Sequence, residues 1–259
     1  YVAKINIFSV SYKYFWQNGI GVDVLDSRSD FEDYKIVIAP LLYMFHNDIQ
    51  QKMRNFVERG GILLSTAFSG VVDENDFCFL GEATQEKLSD VLGMWVEETD
   101  ALFDEEANET SWNQNTYKLK EICEVIHTTT AEVLAVYGKD YYKGAPVITK
   151  NTYGVGTAYH IAANCEDALI EDLCRQLVAE AQITGILGDA DIPDGIGICY
   201  RENETKRYIF IGNFSDEAKC IDFSKSSGNE ERAYVNILDD AKIGGKVCLE
   251  PYGIVILES

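Results

Sequence analysis

Basic residues are scarce in this sequence. Against 43 aspartates and glutamates there are 22 lysines and arginines, a net charge of −21 over 259 residues. A polyphosphate or an anionic membrane would be repelled rather than steered in, which excludes nucleic acid and membrane surfaces as partners. Long hydrophobic runs are missing too. No apolar stretch approaches the roughly 20 residues that span a bilayer, and no basic segment followed by an apolar one opens the chain. The first residue is not Met, as in a fragment or a processed chain. The seven cysteines, at 78, 123, 165, 174, 199, 220 and 248, are odd in number, far apart and without a CxxC pair. Disulfide frameworks and zinc sites need closer organisation, so these read as reduced thiols serving as small core residues in a cytoplasmic protein. Neither internal repeats nor low-complexity segments occur. What is present is 46% hydrophobic residues, ample for a packed core in one large domain or two ordinary ones.

The chain is organised around Tyr34 to Asp76. Ile36 to Ala39 is an apolar run without polar alternation, the pattern of a strand covered on both faces. Pro40 closes it, and Asn47 or Asp48 is placed to cap a helix. Ile49, Met53, Phe56 and Val57 form one helical stripe. Gly60 and Gly61 stop that helix in left-handed conformation, and Ile62 to Ser65 begins a second buried strand. The unit is a parallel βαβ with a right-handed crossover.

Before it, residues 1–18 space Val2, Ile5, Phe8, Tyr12, Phe15 and Trp16 as an amphipathic helix, and Gly21 to Leu25 reads as a short strand. After it come a helix over Thr84 to Leu92, a strand over Gly93 to Asp100 and a polar, acidic surface insertion over residues 101–116. Strands Ala131 to Tyr137 and Pro146 to Lys150, the turn Tyr153-Gly154-Val155-Gly156, a strand Thr157 to Ala162 and a helix Ala168 to Ala181 complete a first domain, residues 1–190. The turn-rich GDADIPDG marks the boundary. Residues 191–259 then hold only short strands about ten residues apart, at Ile196, Tyr208, Lys219, Ala233, Lys246 and Ile254, as in a small antiparallel sandwich or barrel.

The run IAPLLYM, then FVERGGILLSTAFSGVVDEND, Leu80-Gly81, LSDVLGMWVEETDAL, GAPVITKNTYGVGTAYHIA and the closing PYGIVILE resembles the trimerisation and C-terminal domains of bacterial β-galactosidases of glycoside hydrolase family 42. Nearly the whole chain is covered. One departure is Gly81-Glu82-Ala83-Thr84, where the family usually has a Gly-x-Pro-like turn. The resemblance implies an α/β domain of flavodoxin-like or class I glutamine amidotransferase-like type, with an open, mostly parallel sheet lacking its first strand, followed by the small β domain. It implies a homotrimer of a cytoplasmic enzyme that hydrolyses terminal β-D-galactosides with retention. The two catalytic glutamates would lie on a (β/α)₈ barrel that this chain does not contain.

The residues themselves agree that catalysis is elsewhere. Retaining hydrolysis needs two carboxyl groups about 5 Å apart, and the Asn-Glu pairs at 108–109, 203–204 and 229–230 fall in polar turns rather than at ends of barrel strands. No cofactor or metal is called for. Asp73, Glu74, Asn75 and Asp76 miss the spacing of a calcium loop and read as Asx turns. In an open α/β sheet the carboxyl edge is where loops do functional work, and the resemblance makes that work subunit contact, with Phe68, Ser69, Gly70, Asp73, Glu74, Asn75 and Asp76 as candidates. Two alternatives stand beside this. A carbohydrate-binding module would use Trp95, Trp112, Tyr141, Tyr142 and Tyr153 as stacking surfaces. A stand-alone amidotransferase-like enzyme would use Ser69 or Cys165 as nucleophile with His46, His127 or His160, although neither sits in the frame of a nucleophile elbow. The three Asn-x-Ser/Thr triplets, at 108, 203 and 213, are incidental in a chain without a signal segment.

Overall fold

The strands expected at 36–39 and 62–65 both form, and pair in parallel, in the computed structural model, which describes residues 6–46, 48–78, 88–188, 190–222 and 234–258. Contacts divide the chain into two units. One gathers residues 1–9 and 25–177, the other residues 10–24 and 178–259.

In order, the elements of the longer unit are α1 (Asn6–Gln17, which continues into the second unit), β1 (Ile36–Ala39), α2 (Ile49–Glu58), β2 (Ile62–Thr66), α3 (Ser89–Leu92), β3 (Met94–Ala101), β4 (Asn108–Trp112), β5 (Asn115–Thr128), β6 (Glu132–Val136), β7 (Pro146–Tyr153), β8 (Gly156–Ile161), β9 (Ala163–Cys165) and α4 (Asp167–Glu180). Five strands make one sheet in the order β1-β2-β8-β7-β6. The pairings β1–β2 and β2–β8 are parallel, whereas β8–β7 and β7–β6 are antiparallel. The sheet is therefore mixed rather than mostly parallel. The reason is local: Gly154-Val155 closes a two-residue hairpin, Tyr153 facing Gly156, and so short a link can join only antiparallel strands. A mixed sheet with few helices is what the chain forms, and the narrower flavodoxin-like label goes beyond that. Every residue of β2 is buried, and α2 covers the sheet with Ile49, Met53, Phe56 and Val57.

Residues 101–116 are only in part a surface insertion: residues 103–107 are an exposed loop, but the rest belongs to a sheet. Asn108–Trp112 and Asn115–Thr128 form a hairpin whose turn residues Asn113 and Gln114 have φ of 51° and 69°. With β3 and β9 they build a second, antiparallel sheet. The acidic composition concealed a period-two pattern in which Asn108, Thr110, Trp112, Tyr117 and Leu119 all turn inward. Several smaller expectations also change. Asp48 precedes α2 in left-handed conformation, φ 57°, with no side-chain cap. Gly21 to Leu25 carries no regular structure, and Gly21 lies against the Tyr200 ring instead. Asn47, the Gly81-Glu82-Ala83-Thr84 turn, the first half of the helix expected from Thr84, the pair Asn229-Glu230, Val2, Ile5, Phe223 and Ala233 lie outside the described residues.

The second unit has strands β10 (Ile196–Glu202), β11 (Arg207–Asn213), β12 (Lys219–Asp222), β13 (Tyr234–Asn236), β14 (Lys242–Ile243), β15 (Lys246–Leu249) and β16 (Ile254–Glu258). A five-stranded antiparallel sheet, β10-β11-β16-β13-β14, faces the two-stranded ribbon β12–β15. Alternate residues meet between them: Ile196, Ile198, Ile209, Ile211, Val255 and Leu257 from the sheet, Ile221, Val247 and Leu249 from the ribbon. This is sandwich packing. Within this unit the Trp16 ring of α1 lies directly on Gly197.

Cys220 and Cys248 face each other across β12 and β15 and are joined as a disulfide. The reading of all seven cysteines as reduced core thiols is corrected on two counts. These two are bridged because strand pairing brings residues 28 apart in sequence into direct register, which spacing along the chain does not reveal. Of the five free thiols, Cys123, Cys165 and Cys174 are buried, but Cys78 and Cys199 are exposed.

Candidate functional site

The segments leaving β1 and β2 cross the carboxyl edge of the five-stranded sheet and bond to each other. Met44 bridges Val72 in parallel, and Val72 bridges Cys78 in antiparallel sense. The amides of Gly70 and Val71 donate to the carbonyls of Leu42 and Tyr43 at 2.8 and 2.9 Å, and that of Phe45 donates to Val72 at 2.9 Å. Side chains finish the job where backbone partners run out. Leu41 N–H donates to Thr66 Oγ1 at 2.8 Å, and Leu42 N–H to Ser69 Oγ at 3.1 Å.

Two bulky residues on this edge have positive φ, Leu41 at 43° and Phe68 at 62°. Such a conformation costs a non-glycine residue roughly 1–3 kcal/mol and persists only where the surroundings over-determine it. At Phe68 they do. Its N–H donates to Glu124 Oε1 at 2.8 Å, and its ring stacks on that of Tyr43, centroids 5.5 Å apart.

Glu124 belongs to β5 and is 1% exposed, yet it lies beside His160 of β8, which is 0% exposed, with Oε2 3.2 Å from Nε2. Around them Tyr137 donates its hydroxyl proton to the carbonyls of Glu124 and Ala162 at 3.0 and 2.6 Å. Burial pushes the titration of that phenol far upward, so it keeps its proton as a donor. A carboxylate is tolerated in such a place only when bonded on both oxygens. Here one oxygen holds the histidine and the other holds the turn.

The candidate residues thus separate into three kinds. Phe68 is half-buried and holds its ring against Tyr43. Ser69, 1% exposed, accepts the Leu42 N–H, and Gly70, φ 67°, turns the chain. Asp73, Glu74, Asn75 and Asp76 form the outer loop, in which Asp73 Oδ1 accepts the amides of Asn75 at 2.8 Å and Phe77 at 3.1 Å as an Asx turn. Glu124 escaped the sequence reading. Its one signal is a lone acid inside the apolar run Ile122 to Ile126.

The geometry weighs against nucleophilic catalysis. Cys165 lies within strand β9, and burial pushes its thiol up to about 12, far from a thiolate at neutral pH. Ser69 Oγ is committed to a backbone amide. His46 bonds Ser27 Oγ at 3.1 Å, and His127 stacks on Trp95 while meeting Glu97 at 2.5 Å. Nor do the aromatics make a sugar platform. Trp112 and Tyr142 are buried, Trp95 has His127 on one face, and of the five only Tyr141 is largely exposed. Two Asn-Glu pairs are structural: Asn108 binds the amides of Glu109 and Lys139, and Asn203 Oδ1 holds the Thr205 and Lys206 amides of a turn.

Comparison with known proteins assigns this architecture. The family model described as β-galactosidase trimerisation domain matches residues 7–184, and that of the β-galactosidase C-terminal domain matches residues 195–259. The β-galactosidase Pbg of Clostridium perfringens is 37% identical over 95% of this chain, and BglY of Alicyclobacillus acidocaldarius is 36% identical over 95%. The chain spans 36% of the length of each. Among solved structures, a β-galactosidase from Bacillus circulans superposes with a TM-score of 0.90 at 32% identity, covering 99% of this chain and 38% of that one. One from Rahnella gives 0.86 at 30% identity, covering 98% and 36%.

Proposed function

Since the chain belongs to glycoside hydrolase family 42, through the trimerisation and C-terminal domains of its β-galactosidases, we propose that it is the non-catalytic assembly region of such an enzyme. The whole enzyme hydrolyses terminal non-reducing β-D-galactosides with retention, using two glutamates on a (β/α)₈ barrel. Residues 1–190 associate three subunits, so that the active sites of the barrels are completed near subunit boundaries, and residues 191–259 form the C-terminal β domain. In this reading the contact is made at the carboxyl edge, by Phe68, Ser69, Gly70 and the loop Asp73, Glu74, Asn75 and Asp76. The enzyme resides in the cytoplasm.

The observation that carries the proposal is the succession of the two domain models along a chain that spans about a third of its curated relatives. The strained, doubly anchored Phe68 supports the choice of edge. Two measurements test it. The chain alone, assayed on a chromogenic β-galactoside, gives no turnover, and activity above a blank would refute its non-catalytic role. Multi-angle light scattering against concentration gives a mass approaching three chains. A monomer at every concentration would refute self-association through these residues alone.

A further inference from the structure

The disulfide Cys220–Cys248 differs from the buried thiols Cys123, Cys165 and Cys174 in where it points. Residues alternate sides along β12 and β15, and the side bearing Ile221, Val247 and Leu249 is the one turned into the core. Cys220 and Cys248 occupy the opposite, exposed side. Their Cα atoms are 4.0 Å apart, in keeping with the closer of the two antiparallel spacings, the pair without mutual backbone hydrogen bonds. Both bridge cysteines are exposed, and the ribbon pairs with no third strand among the described residues. On the same side, Lys246 and Asp222 face each other two residues from Cys248 and Cys220. Cys123 and Cys165, by contrast, have their thiols pushed by burial up to about 11 and about 12.

We propose that Cys220–Cys248 is a thiol-exchange site, opened and closed by small thiols of the glutathione class while the sandwich stays folded. In the opening step a thiolate attacks one Sγ along the S–S axis. A new S–S bond forms to the small molecule as the Cys220–Cys248 bond breaks, and the electron pair leaves on the other Sγ, which takes up a proton. A second thiolate then displaces the protein sulfur from the mixed disulfide. The protein gains two thiols, and two small thiols become one small disulfide. Because the apolar side of the ribbon is untouched, Ile221, Val247 and Leu249 keep β12 and β15 in place in either state. Exposure of the bridge to solvent is what distinguishes labile, exchangeable disulfides from structural ones.

The test is native-state alkylation of the whole chain with iodoacetamide, read peptide by peptide in the mass spectrometer. Before treatment Cys78 and Cys199 are labelled, while the Cys220 and Cys248 peptides are recovered linked. After incubation with reduced glutathione both bridge cysteines are labelled at least tenfold more, the far-UV circular dichroism is unchanged, and oxidised glutathione restores the link. Cys123, Cys165 and Cys174 are labelled only after denaturation. A second variant isolates the chemistry: Cys220→Ser leaves Cys248 to hold one glutathione as a stable mixed disulfide. Resistance of the bridge to glutathione until the chain is unfolded would overturn the proposal. So would a pair that is free at the outset and cannot be linked by oxidised glutathione, or a Cys220→Ser chain that acquires no adduct.

Discussion

At its amino edge the five-stranded sheet turns on glycine, whereas at its carboxyl edge leucine and phenylalanine also take positive φ, alongside Gly70. The hairpin between β7 and β8 passes so close to the end of α2 that a Cβ at Gly156 would sit 2.1 Å from the Val57 carbonyl oxygen, and one at Gly154, φ 61°, would sit 2.5 Å from that of Glu58. Glycine meets both demands without strain. Across the sheet Leu41 and Phe68 take comparable φ values with full side chains. Glycine would adopt those conformations more easily, so strain persists where a side chain is wanted. The amino edge is built for closeness of backbone, the carboxyl edge for presentation of side chains.

The comparison is broken most severely by removing what over-determines the strained edge. Glu124→Ala leaves the Phe68 amide and His160 Nε2 without their partner in a buried site, at a cost of about 3–5 kcal/mol. Glu124→Gln keeps an acceptor for Phe68 and loses only about 1–2 kcal/mol. Urea titration of the two variants gives the values, and equal losses would show that the Phe68 anchor is unimportant. At the opposite edge Gly156→Ala is expected to cost roughly 3 kcal/mol, because the obstructing atoms are the backbone oxygens of Val57 and Gly61, which cannot swing aside as a side chain would. A loss below 1 kcal/mol would mean that the hairpin is free to lift from α2.

How much of this was legible in the sequence follows from which forces are local. The βαβ unit was legible because β1, α2 and β2 are written as uninterrupted apolar periods at 36–39, 49–57 and 62–65. The hairpin turn at Gly154 was legible from its two glycines, whereas the mixed order of the sheet depends on which strands that hairpin places side by side. The β4–β5 hairpin was hidden because its inward positions include Asn108 and Thr110, polar residues that bond within the protein instead of being apolar. The Glu124–His160 pair and the Cys220–Cys248 bridge were hidden for a shared reason. Each joins residues distant in sequence: Glu124 and His160, 36 apart, come from strands of two different sheets, and Cys220 and Cys248, 28 apart, meet through strand register, both being properties of the folded sheets.

A smaller effect sharpens the contrast between the edges. Phe68→Gly removes the strain and the Tyr43 stack together, two contributions of about 1 kcal/mol with opposite sign. Its stability is expected to stay within about 1 kcal/mol of the parent chain. Its self-association, followed by sedimentation velocity across a dilution series, is expected to weaken at least tenfold. The separation of the two readouts is what distinguishes a presented side chain from a packed one. If stability falls sharply while assembly is unchanged, Phe68 is core and the contact lies elsewhere.

The smallest effect belongs to the ion pair between α2 and α3, and its size is a control on the largest. Arg54 of α2 reaches Asp90 of α3 with Nη2–Oδ1 at 2.7 Å and Nε–Oδ2 at 3.3 Å. Partial burial raises the Asp90 carboxyl, but the hydrogen bond and charge of Arg54 outweigh it and leave it below the usual carboxylate range. A depressed carboxylate contributes stability above its unfolded titration point and loses it as pH falls through the folded one. With half of the Asp90 side chain exposed, solvent screens the attraction, and Asp90→Asn is expected to cost about 0.2–1 kcal/mol at neutral pH. That difference from the parent chain should shrink toward zero as the pH drops below 4 or so, and should also fade in molar salt. Glu124→Gln, made in a site where neither group meets solvent, should keep its cost in salt. Should both substitutions respond alike to salt, burial would not be what separates the two pairs, and the carboxyl edge would lose its claim to being rigidly held.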